Sequence, residues 1–264
     1  DAKGVGAFLM AAAEMEAAAA GRPGRGKRVV LDDYFNHEVK KDAAGRSTVW
    51  HYKWDEMPNS GFYVWGHVFR NLGARTETLS EAPTAQNLKG ASVYIIVDPD
   101  TKEETEEPHF VEPPHVKAVA DWVKSGGVLV LLGNDAGNAE FDHFNELARA
   151  FGIRFNKDSR NRVQGNNFAE GKISVPAGHE IFRTARELYL KEISTLTLSK
   201  PAEAALRHQG FDVIAVAKHG RGTVFAVGDP WLYNEYVDGR KLPPEFDNYE
   251  AARDLAKWLL ERGR

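Results

Sequence analysis

Four apolar runs in this chain each end on an acidic or amide residue. "RVVLDD" closes on Asp32 and Asp33, "VYIIVD" on Asp98, "VLVLLGND" on Asn134 and Asp135, and "VFAVGD" on Asp229. Continuous apolar runs of this length are the pattern of strands buried on both faces, as in parallel sheets. Segments between and after the first three have helical spacing. "GFYVWGHVFRNLG" (61–73) stops at Gly73, "PPHVKAVADWVKSGG" (113–127) opens on Pro and closes on Gly, and "AEFDHFNELARAFGI" (139–153) is amphipathic. Strands alternating with helices imply βαβ units, hence an α/β fold with a mostly parallel sheet flanked by helices.

The C-terminal part changes character. "KISVPAG", "ISTLTLS" and "AEAALRHQGFDVIAVAKHGRGTVFAV" are short strands with Gly turns, including a hairpin through His219–Gly222, so an antiparallel extension is expected. "ARTETLS" is more polar and suits a position near a sheet edge. "FDNYEAARDLAKWLLER" closes the chain as a helix, with Asp247 or Asn248 as cap and Ala251, Leu255, Trp258 and Leu259 on one face. The expected domain plan is a terminal helix of an upstream domain (1–20), a basic Gly-rich linker (21–27) and one α/β domain (28–264).

In open α/β sheets ligands bind beyond the carboxyl ends of the parallel strands. Asp32, Asp33, Asp98, Asn134, Asp135 and Asp229 all fall at such ends and are candidate ligand residues. The segment 37–60 leaves from the same rim and is too long for an ordinary βα loop; it brings His37, Glu38, Trp50, His51, Tyr52, Trp54, Asp55 and Asn59. Aromatic residues near the rim, Tyr34, Trp54, Phe62, Trp231 and Tyr233, add the apolar faces on which sugar rings stack, although Phe62 and Trp65 also fit a buried helix face. The alternative for the acids is capping of turns and helices. The sharpest expectation concerns "GDPWLYNEY": Pro230 ends the strand, and Asp229, Trp231 and Asn234 line one pocket with Asp32 or Asp33, with Trp231 as an exposed platform.

Several chemistries are excluded or unsupported. The 264 residues include no Cys, which removes disulfides, thiolate metal sites and Cys nucleophiles. The net charge of −4 gives no general drive toward nucleic acid, and no apolar run approaches the length of a membrane span. There is no P-loop, no G-x-G-x-x-G after the first strand, no H-E-x-x-H and no G-x-S-x-G elbow, so no cofactor and no metal are expected.

Two segments carry a family resemblance. "DAKGVGAFLMAAAEME" resembles the closing helix of the (α/α)-barrel in family 88 and 105 glycoside hydrolases, the unsaturated glucuronyl and rhamnogalacturonyl hydrolases. "VPAGHEIFRTAREL" and the order of elements resemble the class I glutamine amidotransferase-like, flavodoxin-like fold, with Glu180 where that motif carries Pro. The resemblance implies an accessory domain of a pectin-degrading enzyme, with the catalytic barrel upstream as a partner and an extracytoplasmic location. Amidotransferase chemistry itself needs a Cys at a strand–helix elbow, near Gly133-Asn134-Asp135, and the chain has none. Three roles stay open: a carbohydrate-binding module, a hydrolase acting through strand-end carboxylates, or a structural support for the barrel.

Overall fold

The computed structural model describes residues 21–41 and 44–264. The expected helix over 1–20 lies outside them. The organising element is a nine-stranded sheet. Its parallel half runs in the order β4 (Arg75–Leu79), β1 (Arg28–Asp32), β5 (Val93–Val97), β6 (Val128–Leu132) and β13 (Gly222–Val227). Beyond β13 the pairing becomes antiparallel through β12 (Phe211–His219), β10 (Leu196–Leu198) and β7 (Ile153–Phe155), with β11 (Ala202–His208) on the outer part of β12. The polar strand "RTETL" is indeed the edge, and the β12–β13 hairpin turns through Gly220 and Arg221.

Successive side chains of a strand point to opposite faces, and each face has its own core. Val29, Leu31, Ile95, Val130 and Phe225 pack beneath α1 (Tyr63–Asn71) and α5 (Asn248–Arg262). Val30, Tyr94, Ile96, Leu131 and Ala226 pack beneath α2 (Pro113–Lys124) and α3 (Phe141–Arg149). The protein is therefore a mixed α/β structure with a curled sheet covered by helices on both faces.

Local chemistry explains the helix ends. Glu112 and His115 form a reciprocal capping box ahead of Pro113 and Pro114, and Glu140 accepts from the Asp142 and His143 amides at 3.0 Å each. α1 gives way at Gly73, whose φ of 92° is left-handed. The expected cap of α5 is not made. Asp247 Oδ2 accepts instead from the Arg186 and Glu187 amides, and the Asn248 amide bonds both backbone groups of Tyr189. Those side chains fasten β9 (Glu187–Tyr189), which pairs with β8 (Lys172–Ser174), to the start of the last helix.

Residues 24–27 pack as ordered turns. The Gly24 amide bonds the Leu72 carbonyl, and the Lys27 ammonium bonds the Leu260 carbonyl. The long 37–60 segment holds a small hairpin that sequence patterning did not reveal, β2 (Val39–Lys41) against β3 (Ser47–Val49).

Candidate functional site

The carboxyl ends of β1, β5, β6 and β13 share one edge, because all four strands are parallel neighbours in register. A crevice of about 700 Å³ opens there. The 37–60 segment gives it Lys40, Trp50, His51 and Tyr52; the end of β5 gives Asp98 and the end of β6 gives Asn134. Lys191 and Glu192 enter from the β9–β10 connection, and Tyr233 and Tyr236 from around the short helix α4 (Asn234–Val237) after β13.

Asp98 lies at the centre of the hydrogen-bond network. Its Oδ2 accepts from the Tyr52 hydroxyl at 2.8 Å and from Asn134 Nδ2 at 2.9 Å. The Tyr52 and Tyr233 hydroxyls are 3.2 Å apart, and their rings stack with centroids at 5.4 Å. Asp98 Oδ1 is buried without a hydrogen-bond partner. Burial pushes the Asp98 carboxyl well above its ordinary pKa; the Asn134 hydrogen bond opposes this, and Glu104 and Glu38 add to the rise. Burial likewise holds the Tyr52 and Tyr233 hydroxyls protonated, and raises Glu104.

The backbone around the crevice is unusual. Six described residues other than glycine have a left-handed φ, and four of them line it: His51 (61°), Tyr52 (58°), Asp98 (43°) and Glu192 (50°). Such conformations cost energy and collect where a fold aims side chains at a ligand. Glu38 anchors the outer wall through His51 Nδ1 at 2.5 Å, the His51 ring stacks on Trp50, and the Lys40 ammonium sits 4.1 Å from the Trp50 ring centroid.

Most of the other strand-end candidates serve the fold. Asp32 Oδ1 accepts from the Tyr34 and Phe35 amides, its Oδ2 from the Tyr94 hydroxyl at 2.5 Å, and burial raises its pKa to about 6. Asp33 accepts from Ser80 and pairs with the buried Lys53 at 2.7 Å. Tyr34 stacks on His109 at 4.0 Å, away from the crevice. Asp135 accepts from Asn138 in a turn. Trp54 is buried against Trp65 and Phe69 and donates its N–H to the Glu77 carbonyl.

The "GDPWLYNEY" expectation needs correcting. Asp229 sits at the predicted edge but is buried, its Oδ2 accepting from the Lys191 amide at 2.7 Å. Gly228 lets the chain pass close to the Ser194 backbone, since a Cβ there would meet the Ser194 carbonyl oxygen at 1.8 Å. Trp231 is 0% exposed and packs edge-on to Phe182, so it is core and offers no face to a ligand. The chain turns inward after Pro230 because the apolar residues following it complete the core beneath α1 and α5. Asn234 is a clamp: Oδ1 accepts from the Val64 amide, and Nδ2 donates to the carbonyls of Glu56, Met57 and Pro58. Of the ten candidates, only Asp98 and Asn134 line the crevice. Sequence reasoning noted His51, Tyr52 and Tyr233 without making them candidates; the aromatic density of "WHYKW" inside an overlong loop was the available signal.

Residues 58–238 match the family described as Domain of unknown function (DUF4350). The chain belongs to that family. No curated protein matches the sequence. Among solved structures, the DUF4350 chain is similar to the "mmIFT52 N-terminal domain" at 18% identity, with a TM-score of 0.64 over 88% of this chain and 97% of that one. It is also similar to the "Cytoplasmic Protein STM1381 from Salmonella typhimurium LT2" at 13% identity, with a TM-score of 0.59 over 90% of this chain and 100% of that one. At these identities the likeness is one of fold. These findings overturn the glycoside hydrolase resemblance: the family match spans most of the chain, and the structural matches are covered over nearly their whole lengths, not as an appended domain. Among the described residues no cluster of His, Cys, Asp and Glu could hold a metal ion, and no helix is long and apolar enough to cross a membrane.

Proposed function

We propose that the DUF4350 domain binds a small hydroxylated ligand, a carbohydrate, in the crevice at the carboxyl edge of its parallel strands, and binds it without turning it over. The observation that carries this reading is the lining: the stacked Trp50–His51 pair and Tyr52, Tyr233 and Tyr236 stand beside the Asp98 carboxyl and the Asn59, Asn134 and Asn138 amides. Aromatic faces take the CH surfaces of a sugar, and carboxyl and amide groups take its hydroxyls. The volume of about 700 Å³ has room for such a ligand.

Topology supports the same place. The parallel order β4-β1-β5-β6-β13 supports a flavodoxin-like reading of the sheet, in which the chain reverses direction of winding between its first and third parallel strands. Here that point lies between β1 and β5, at whose ends the 37–60 segment and Asp98 stand. A hydrolase built from strand-end carboxylates would need two of Asp32, Asp33, Asp98 and Asp229 on one ligand, and Asp98 alone lines the crevice. The missing Cys argues against acyl transfer of the amidotransferase kind.

Saturation-transfer NMR against a panel of mono- and disaccharides tests the reading. Binding that is lost in Tyr233→Ala, with the fold intact by circular dichroism, is the expected result. Hydrolysis of a bound sugar, or no transfer to any sugar, would overturn it.

A further inference from the structure

The hydrogen bonds around Asp98 fix which of its oxygens can carry a proton. Asn134 Oδ1 accepts from the Asp135 backbone amide at 2.9 Å, and a backbone N–H can only donate. The Asn134 amide is thereby oriented, and it is the NH₂ group that meets Asp98 Oδ2. Tyr52 donates to the same oxygen, so both lone pairs of Oδ2 are taken. Tyr52, with one proton already given, accepts from Tyr233. The other oxygen, Oδ1, is buried and has no partner.

The charges nearby are already committed. Lys53 pairs with Asp33, His51 with Glu38, and Lys191 with Glu192, while Lys40 lies over Trp50 and 3.9 Å from Glu56. Tyr52 and Tyr233 face Asp98 as neutral hydroxyls, and the charges acting on it are those of Glu38 and Glu104, both of its own sign. The hydrogen bonds from Asn134 and Tyr52 favour a carboxylate at Asp98, but burial outweighs them and displaces its pKa upward.

We propose that Asp98 meets the ligand as a neutral carboxylic acid, donating a hydrogen bond from Oδ1 to an uncharged oxygen of a sugar, and that the crevice therefore selects neutral sugars over uronic acids. This rests on the carbohydrate reading of the crevice. The donor explains why a buried oxygen is left unpaired: its partner is the ligand. Discrimination against acidic sugars follows from Glu104, which lines the crevice and repels a ligand carboxylate as it repels an ionised Asp98, with Glu38 adding to that repulsion from behind His51.

Asp98→Asn is the decisive variant. An Asn Nδ2 imitates the neutral acid as a donor while its Oδ1 still accepts from Tyr52 and Asn134, and Asn tolerates the left-handed backbone at this position. Calorimetric titration of neutral methyl glycosides and of the matching uronic acids, from mildly acidic to mildly alkaline pH, reads the outcome. The wild type should prefer the neutral glycoside and lose about tenfold in affinity for each pH unit above the pKa of the Asp98 carboxyl. Asp98→Asn should bind within about threefold of the low-pH wild type and show no such fall. Loss of binding in Asp98→Asn with the fold intact, affinity that rises with pH, or a preference for uronic acids would overturn the inference and leave the crevice as a sugar site. Failure of the wild type to bind any glycoside at any pH would remove both. A ligand-free check is the carboxylic acid C=O band in infrared difference spectra of wild type against Asp98→Asn at neutral pH; its absence would also defeat the proposal.

Discussion

A buried acid whose pKa desolvation raises must change its proton count when the chain unfolds. Asp229 is such a group: desolvation raises its pKa from 3.8 to about 8, against the pull of the Lys191 amide. Between those values the folded state keeps the proton and the unfolded state releases it, so stability falls as pH rises through this window and levels off above it. Asp32 adds a smaller effect of the same sign between 3.8 and about 6. Urea unfolding across this pH range should show the decline, and Asp229→Asn should make it shallower, with Asp98 and Asp32 supplying the remainder; an unchanged slope in the variant would show that Asp229 is ionised in the folded protein. Trp231 gives a second test at this scale. Its indole is fully buried beside Phe182. Trp231→Ala should cost about 3–5 kcal/mol in denaturant unfolding, whereas a ligand platform would lose almost nothing.

The 37–60 segment is the element that makes the site. Its inner part is held from both sides, by Lys53 donating to Asn36 and pairing with Asp33, and by the Asn234 clamp on 56–58. Asn234→Ala leaves the Val64 amide and the Glu56 and Met57 carbonyls without this partner, while Pro58 keeps the Gly61 amide, and should destabilise the protein by about 2–3 kcal/mol, with faster amide exchange confined at first to 56–64. The outer hairpin is different. All six residues of β2 and β3 are exposed, including Val39 and Val49. Replacing 40–48 with a short Gly-Ser turn should change stability by no more than about 0.5 kcal/mol, yet weaken ligand binding, because Lys40 leaves the wall and Trp50 loses its support. Equal losses in stability and binding would mean that the hairpin belongs to the cooperative core.

Across the whole molecule the sheet separates two cores, one under α1 and α5 and one under α2 and α3. Leu255 lies in the first and Leu147 in the second. Leu→Ala at either should cost about 2–5 kcal/mol, and the double variant should cost their sum within about 0.5 kcal/mol, because no contact joins the two cavities. Non-additivity well beyond that would show the sheet transmitting strain from one face to the other.

The sequence by itself determined the layered α/β plan, the polar edge strand, the β12–β13 hairpin and the edge on which the acids stand. These depend on periodicity, turn residues and the length of apolar runs, all of which are local. It could not divide the acids into those that cap and the one that lines a crevice. Asp32, Asp98 and Asp229 each end an apolar run, and only tertiary packing sets them apart: Asp32 meets the Tyr94 hydroxyl and its own turn, Asp229 meets the Lys191 backbone, and Asp98 meets Tyr52 and Asn134 and keeps one oxygen unpaired. Trp231 was misread for the same reason. Its flanking Asp and Pro mark a turn, but whether the chain then faces water or core depends on the volume left under α1 and α5. Hydrogen-bond partners and core volume come from segments far apart in the chain, so they exist only once the fold has brought those segments together.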